Sequence, residues 1–104
     1  MAVARQLSRE DLRKGIEGAA DSFEDMDISA VLYPVEEREI GASIGIQRGN
    51  DIVHYYIQVE GKNLVTSCTN RYEEKRRVII REFNNALLKK LGLSQVIYDE
   101  RRAA

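Results

Sequence analysis

His54 is the only histidine in the chain and Cys68 the only cysteine, so a thiol nucleophile with an imidazole base would have to use both. Such a pair works only when the base lies within hydrogen-bond reach of the sulfur. The strand alternation developed below puts His54 on the outer face of a sheet. It puts Cys68 on the inner face beside Tyr55, where it reads as a small core residue. No serine stands in a nucleophile elbow. Gly41, Gly45 and Gly49 recur at every fourth position within or between strands, and they do not open a helix as a phosphate-binding loop would. Asp21, Glu24, Asp25 and Asp27 offer carboxylates for a hard cation, but without the ligand spacing and central glycine of an EF-hand loop. They read as a solvated helix end. Glu36, Glu37 and Glu39 read as charges at a hairpin tip, where they protect a sheet from edge aggregation. With no catalytic constellation left, the expectation is a non-enzyme that needs no cofactor and no metal.

Binding is the better-supported chemistry. Tyr33, His54 and Tyr56 fall on the outer sheet face beside the small residues Gly41, Ser43 and Gly45. Small residues flanked by aromatics make a shallow trough for a partner, and they also fit tyrosines that cover glycine-weakened strands. A second candidate surface opens the last helix, where Arg71, Lys75, Arg76, Arg77 and Arg81 alternate with Glu73, Glu74 and Glu82. A helix start rich in Arg and Lys attracts phosphate. A Glu73–Arg77 pair at i,i+4 would make the same residues a salt-bridged surface.

Each of these residues is positioned by an element that the pattern specifies. A first helix is expected from Arg9 to Phe23, capped by Ser8 with Asp11 three positions on, and stapled by Leu7 against Leu12. Leu12, Ile16, Ala19, Ala20 and Phe23 share one face of it. A strand follows from Ile28 to Val35, with Glu36-Glu37-Arg38 as its connection. Gly49-Asn50 is a two-residue hairpin loop, which pairs Ile46 with Val53, Ile44 with Tyr55, Ala42 with Ile57 and Ile40 with Val59. All eight fall on one face, and a one-residue slip would mix the two faces. Gly61-Lys62 makes a second such turn, which sets Leu64 beside Val59 and Thr66 beside Ile57.

The last helix is expected from Arg71 to Leu91, with Asn70 and Glu73 as a capping box, Gly92 as its left-handed terminator and Lys89 and Lys90 in its final turn. Ile79 or Ile80, Phe83, Ala86, Leu87 and Leu91 form its apolar stripe. Ser94 to Tyr98 reads as an edge strand or a docking tail, and residues 1–6 and 99–104 as frayed ends. The prediction is therefore an α+β two-layer sandwich: an N-terminal helix, a four-stranded antiparallel meander and a long C-terminal helix. In topology alone this order, with Val59-Glu60-Gly61-Lys62 before a basic helix, resembles double-stranded-RNA-binding domains. Those domains open the last helix with a glycine-containing loop and paired lysines, where this chain has Ser67-Cys68-Thr69-Asn70 and then Glu73 and Glu74. The resemblance therefore carries no function with it.

Composition sets the frame. A chain of 104 residues, 43% hydrophobic and 32% charged, suits a single domain over 1–104. It has no apolar run of the roughly 18 residues a membrane span needs and no apolar stretch fit for a secretory signal. A lone cysteine suits a reducing compartment, so the expected location is the cytoplasm, away from membranes. The net charge of −1 hides an asymmetry: residues 1–60 hold 6 basic and 12 acidic side chains, and residues 61–104 hold 10 and 5. Charged halves of opposite sign can steer a complementary partner. The expected function is a small adaptor, inhibitor or accessory factor that binds another protein, with Tyr33, His54 and Tyr56 as anchors and Arg76, Arg77 and Arg81 as rim contacts. The alternative is a nucleic-acid-binding protein that uses the basic helix. A second copy of the chain is a further candidate partner.

Overall fold

The computed structural model describes residues 7–34, 39–67 and 71–99. Along the chain run α1 (Arg9–Asp21), β1 (Asp27–Pro34), β2 (Ile40–Arg48), β3 (Asp51–Glu60), β4 (Asn63–Ser67), α2 (Glu74–Leu91) and β5 (Gln95–Asp99). Helix α1 starts where the sequence puts it. The Asp11 N–H donates to Ser8 Oγ at 3.1 Å, and the Ser8 N–H donates to Asp11 Oδ2 at 3.0 Å. Two otherwise unpaired donors are thereby satisfied, a contribution of about 1 kcal/mol. The helix stops at Asp21, two residues before the expected Phe23, and Ser22 caps it.

The hairpin registers are those set by the alternation. Ile46 faces Val53, Ile44 faces Tyr55, Ala42 faces Ile57 and Ile40 faces Val59, while Leu64 lies beside Val59 and Thr66 beside Ile57. Gly49 and Gly61 both have positive φ, at 59° and 58°, and no other described residue in either turn does. Glycine in the first loop position with a left-handed backbone is the type II′ arrangement, whose twist matches the flanking strands.

The sheet itself corrects the prediction. It has five strands in the order β1-β2-β3-β4-β5 and it is mixed, because β5 runs parallel to β4. The cause lies in α2. That helix carries the chain back across the inner face, so the segment after it must run in the direction of β4. The expected Ser94–Tyr98 segment therefore becomes an edge strand one residue further on, Gln95–Asp99, and Asp99, expected in a frayed tail, is its last residue, opposite Ser67.

Helix α2 begins at Glu74, three residues later than expected, with Glu73 as an N-cap that makes no side-chain cap bond. Asn70, expected to cap it, lies outside the described residues, as do Cys68, Val35, the Glu36-Glu37-Arg38 connection and the terminal residues 1–6 and 100–104. The C-terminal end is as the sequence reads: Gly92 takes φ 67°, and the Leu93 N–H donates to the Leu88 carbonyl at 3.1 Å.

Both helices pack on the same side of the sheet. Leu12, Ile16 and Ala19 of α1 and Ile79, Ile80, Phe83 and Leu87 of α2 join Ala42, Ile44, Ile46, Val53, Tyr55 and Ile57 in one buried cluster. Gly15 explains how the helices approach so closely, since a Cβ there would overlap Leu91 Cδ2. Besides Thr66 of β4, one polar residue of the helices, Asn84, is fully buried here. It accepts from the Tyr55 hydroxyl at 2.7 Å, and its amide nitrogen lies 3.4 Å from the Tyr98 hydroxyl, which ties α2 to β3 and β5. Burial pushes the Tyr55 phenol well above its ordinary value. No described helix is long and apolar enough to cross a membrane.

Candidate functional site

With both helices on one side, the opposite face of the sheet is covered by neither. The sequence left open whether α1 shields this face; α1 instead packs into the inner core with α2. On the outer face Val31 is 68% exposed, Ile52 48% and Tyr56 46%. Pairing sets Val31 and Tyr56 on either side of Ser43, and Tyr33 and Gln58 on either side of Gly41. The third row holds Ser29, Gly45 and His54.

The aromatics do not merely wall a trough over β2. The Tyr33 and Tyr56 rings meet across it edge to face, with centroids 6.4 Å apart. His54 covers Gly45 in the same way, since a Cβ on Gly45 would lie 3.1 Å from its ring and 2.8 Å from Ser29 Oγ. The surface is thus a paved, nearly flat platform, and its hollow of about 320 Å³ is displaced to the rim, between Asp27, Ser29, Gly45, Gln47, Ile52 and His54.

Two further features set the platform's chemistry. Between the ends of the sheet, the outward residues of β1, β2 and β3 include no Asp, Glu, Lys or Arg, although such residues make up 32% of the chain. Outward charges stand at the strand ends, as Asp27, Glu60 and Asp99. A solvated antiparallel face ordinarily alternates polar residues outward, and depletion of charge at the centre with charge at the rim is the layout of an interface. The far side of the platform is closed more tightly than the alternation suggests. Val65 and Ser67 alternate with the inward Leu64 and Thr66 yet are buried, in a strand flanked on both sides by β3 and β5, and Ser67 Oγ accepts from the Tyr56 N–H at 3.1 Å.

No protein-family model matches this chain, and no curated protein and no solved structure matches it. The reading of the site therefore rests on its geometry.

Arg76, Arg77 and Arg81 are not brought to the platform. They lie on α2, in the other layer, and each has a carboxylate partner. Arg76 faces Asp51 and Glu73 at 3.8 and 3.9 Å, Arg77 reaches Glu74 at 3.0 Å, and Arg81 reaches Glu74 at 2.5 Å. The expected Glu73–Arg77 pair is replaced by these because the helix begins at Glu74, which leaves Glu73 in the cap. The hydrogen bond from Arg81, more than any other influence, holds the Glu74 carboxyl below the usual glutamate range. Lys75 likewise pairs with Asp51 at 3.1 Å. This surface is a network of opposite charges, not an open phosphate cradle.

Sequence reasoning missed Tyr72. Strand β4 pairs with β3 from Ile57 to Glu60, so among the described residues no strand flanks the first half of β3 on that side. The Tyr72 hydroxyl fills in: it accepts from the His54 N–H at 3.0 Å and donates to the His54 carbonyl at 2.9 Å. Arg71 lies over the Tyr72 ring at 5.0 Å and donates to the same carbonyl at 3.3 Å. The two residues hold the backbone beneath His54 in place. A basic–aromatic pair before a helix was the available signal, but its target lies 17 or 18 residues back in the chain. Among the described residues, no three His, Cys, Asp or Glu side chains converge as metal ligands would.

Proposed function

We propose that this chain is a binding protein, not an enzyme, and that it contacts another protein through the platform made by Tyr33, His54 and Tyr56. The observation that carries this reading is the partly apolar outer face, which holds no charged residue between the ends of its strands and which neither helix covers. An adaptor, inhibitor or accessory factor needs such a rigid surface and no reactive group. The tyrosines supply large contact area with few rotatable bonds, which keeps the entropic cost of docking low. The ion pairs of Arg76, Arg77 and Arg81 favour a protein partner over nucleic acid, because each guanidinium already has a carboxylate to leave before it meets a phosphate.

Affinity capture from lysate of the cells that make the protein tests this directly, with wild type, Tyr33→Ala/Tyr56→Ala and Arg76→Ala/Arg77→Ala as parallel baits. A protein retained by the first and third baits and lost from the second supports the platform. Equal recovery by the tyrosine variant overturns it. Binding to labelled RNA or DNA that collapses between about 50 and 200 mM salt would transfer the function to α2.

A further inference from the structure

Strand β1 is an edge of the sheet, and between Asp27 at its start and Pro34 at its end it carries none of the charges or bulges that keep an edge from pairing. It runs eight residues in unbroken register with β2, without a bulge, and Asp27 at its start is its only charged residue. Proteins normally blunt such an edge with lysines, bulges or short length.

The register also fixes which backbone groups point outward. Arg48 and Asp51 close the β2–β3 hairpin as a hydrogen-bonded pair, so even-numbered β2 residues bond to β3 and odd-numbered ones to β1. Through the β1–β2 pairing, Ile28, Ala30 and Leu32 therefore aim their N–H and C=O groups away from the sheet. The Arg9 guanidinium reaches the Leu32 carbonyl from outside, at 3.4 Å, as this requires. Among the described residues, nothing bonds to the outward groups of Ile28 or Ala30. The side chains are unfinished too: Ile28, Ala30 and Leu32 face the core yet remain partly exposed, and Val31 on the other face is 68% exposed.

We infer that β1 pairs with β1 of a second copy, antiparallel about a two-fold axis through Ala30, joining two five-stranded sheets into one of ten strands. The sequence of the strand is self-complementary in that register. Ala30 meets its own mate, where a small side chain allows close approach. Ile28 meets Leu32 of the other copy on the core side, and Val31 meets Ser29 on the outer side. Asp27 meets Tyr33 instead of a second Asp27, so no like charges oppose one another. An isologous contact brings every group near its axis against a copy of itself, and an uncharged strand tolerates that. The contact runs through the backbone edge of β1, and it shares Val31 and Tyr33 with the platform, whose area it would double by setting two of them side by side.

Sedimentation velocity at about 5 and about 500 µM reads the oligomeric state, because a dimer's population depends on protomer concentration. Wild type should move toward a dimer at the higher concentration. Val31→Lys, which sets two lysines beside the axis at an already exposed position, should stay monomeric with an unchanged far-UV spectrum. Cysteine placement reads the register in a Cys68→Ser background. The Ala30 Cα atoms of the two copies would lie about 5.5 Å apart, within the range a disulfide spans. Those of Leu32 would be separated by about 14 Å. Ala30→Cys should therefore give a disulfide-linked dimer and Leu32→Cys should not. A wild type that remains monomeric at both concentrations overturns the inference. So does a dimer indifferent to Val31→Lys, or equal cross-linking from the two cysteine variants. Tyr56→Ala, on β3 and away from the β1 edge, should leave the dimer intact, which keeps this outcome separate from the fate of the platform.

Discussion

Tyr55 and Tyr56 are neighbours in the chain and opposites in the fold, which makes them a direct test of the face assignment. Tyr55 is 1% exposed, with its hydroxyl 2.7 Å from Asn84 Oδ1, whereas Tyr56 is 46% exposed and touches Tyr33. Truncating a fully buried aromatic to alanine costs about 3–5 kcal/mol. Loss of the hydroxyl also orphans the buried Asn84 oxygen, which adds about 1–3 kcal/mol. Tyr55→Ala should therefore remove about 4–8 kcal/mol, as much as the whole stability of many domains. Tyr56→Ala gives up roughly half of a tyrosine's burial, about 100 Å² at about 25 cal/mol/Å², or about 2.5 kcal/mol, together with one ring contact of about 1 kcal/mol, so about 3.5 kcal/mol. The central values, about 6 and about 3.5 kcal/mol, differ by about 2.5 kcal/mol. With a urea slope of about 1–2 kcal/mol/M, their unfolding midpoints should lie about 1 M or more apart. Urea titration followed by far-UV circular dichroism measures this. Midpoints that coincide within error would refute the assignment of Tyr56 to the uncovered face, and with it the use of Tyr56→Ala as a binding-only variant.

Two more outcomes follow from the side-chain geometry. Tyr55→Phe should cost about 1–3 kcal/mol by stranding Asn84, while Tyr55→Phe/Asn84→Leu should cost less than the sum of the single changes, which a double-mutant cycle by chemical denaturation will show. Because Arg81 and Arg77 hold the folded Glu74 carboxyl below its ordinary value, its contribution is complete above the unfolded pKa and fades as pH falls through the folded one. Glu74→Gln should therefore lessen the acid-side loss of stability between about pH 5 and pH 3, as thermal melts across that range would reveal.

The parts of the fold that sequence made legible are those in which local rules agree. The β2–β3 register is determined because eight apolar residues separate cleanly from their neighbours only when Gly49-Asn50 makes the turn. Ser8 and Asp11 announce the start of α1 for the same reason, since cap chemistry and helical periodicity point to one place. The start of α2 was misplaced because Asn70 and Glu73 satisfy a cap pattern on paper, while Arg71 and Tyr72 are engaged in holding the β3 edge. That duty is non-local and leaves no periodic trace. The direction of β5 is non-local as well. Val96 and Ile97 suit a strand of either sense, and only the path of α2 across the sheet decides that it runs parallel to β4.

The candidate site shows the same division. Alternation alone places Tyr33, His54 and Tyr56 on a common face, because each is separated from the buried set by the two-residue period. Whether that face meets solvent depends on where the helices go, and amphipathic patterns give a helix its buried stripe but not the side of the sheet on which it docks. The packing shows the side: α1 and α2 meet at Gly15 and Leu91 and join one buried cluster, so the two helices share one layer and leave the other face uncovered by either. A stretch of exposed sheet that also excludes charge has no reason to do so in water, where Lys, Glu or Thr at those positions would cost nothing and improve solubility. The centre of the platform and β1 beyond Asp27 carry no Asp, Glu, Lys or Arg, and this pattern, on which the proposed contacts rest, is legible only when residue type and position in the fold are read together.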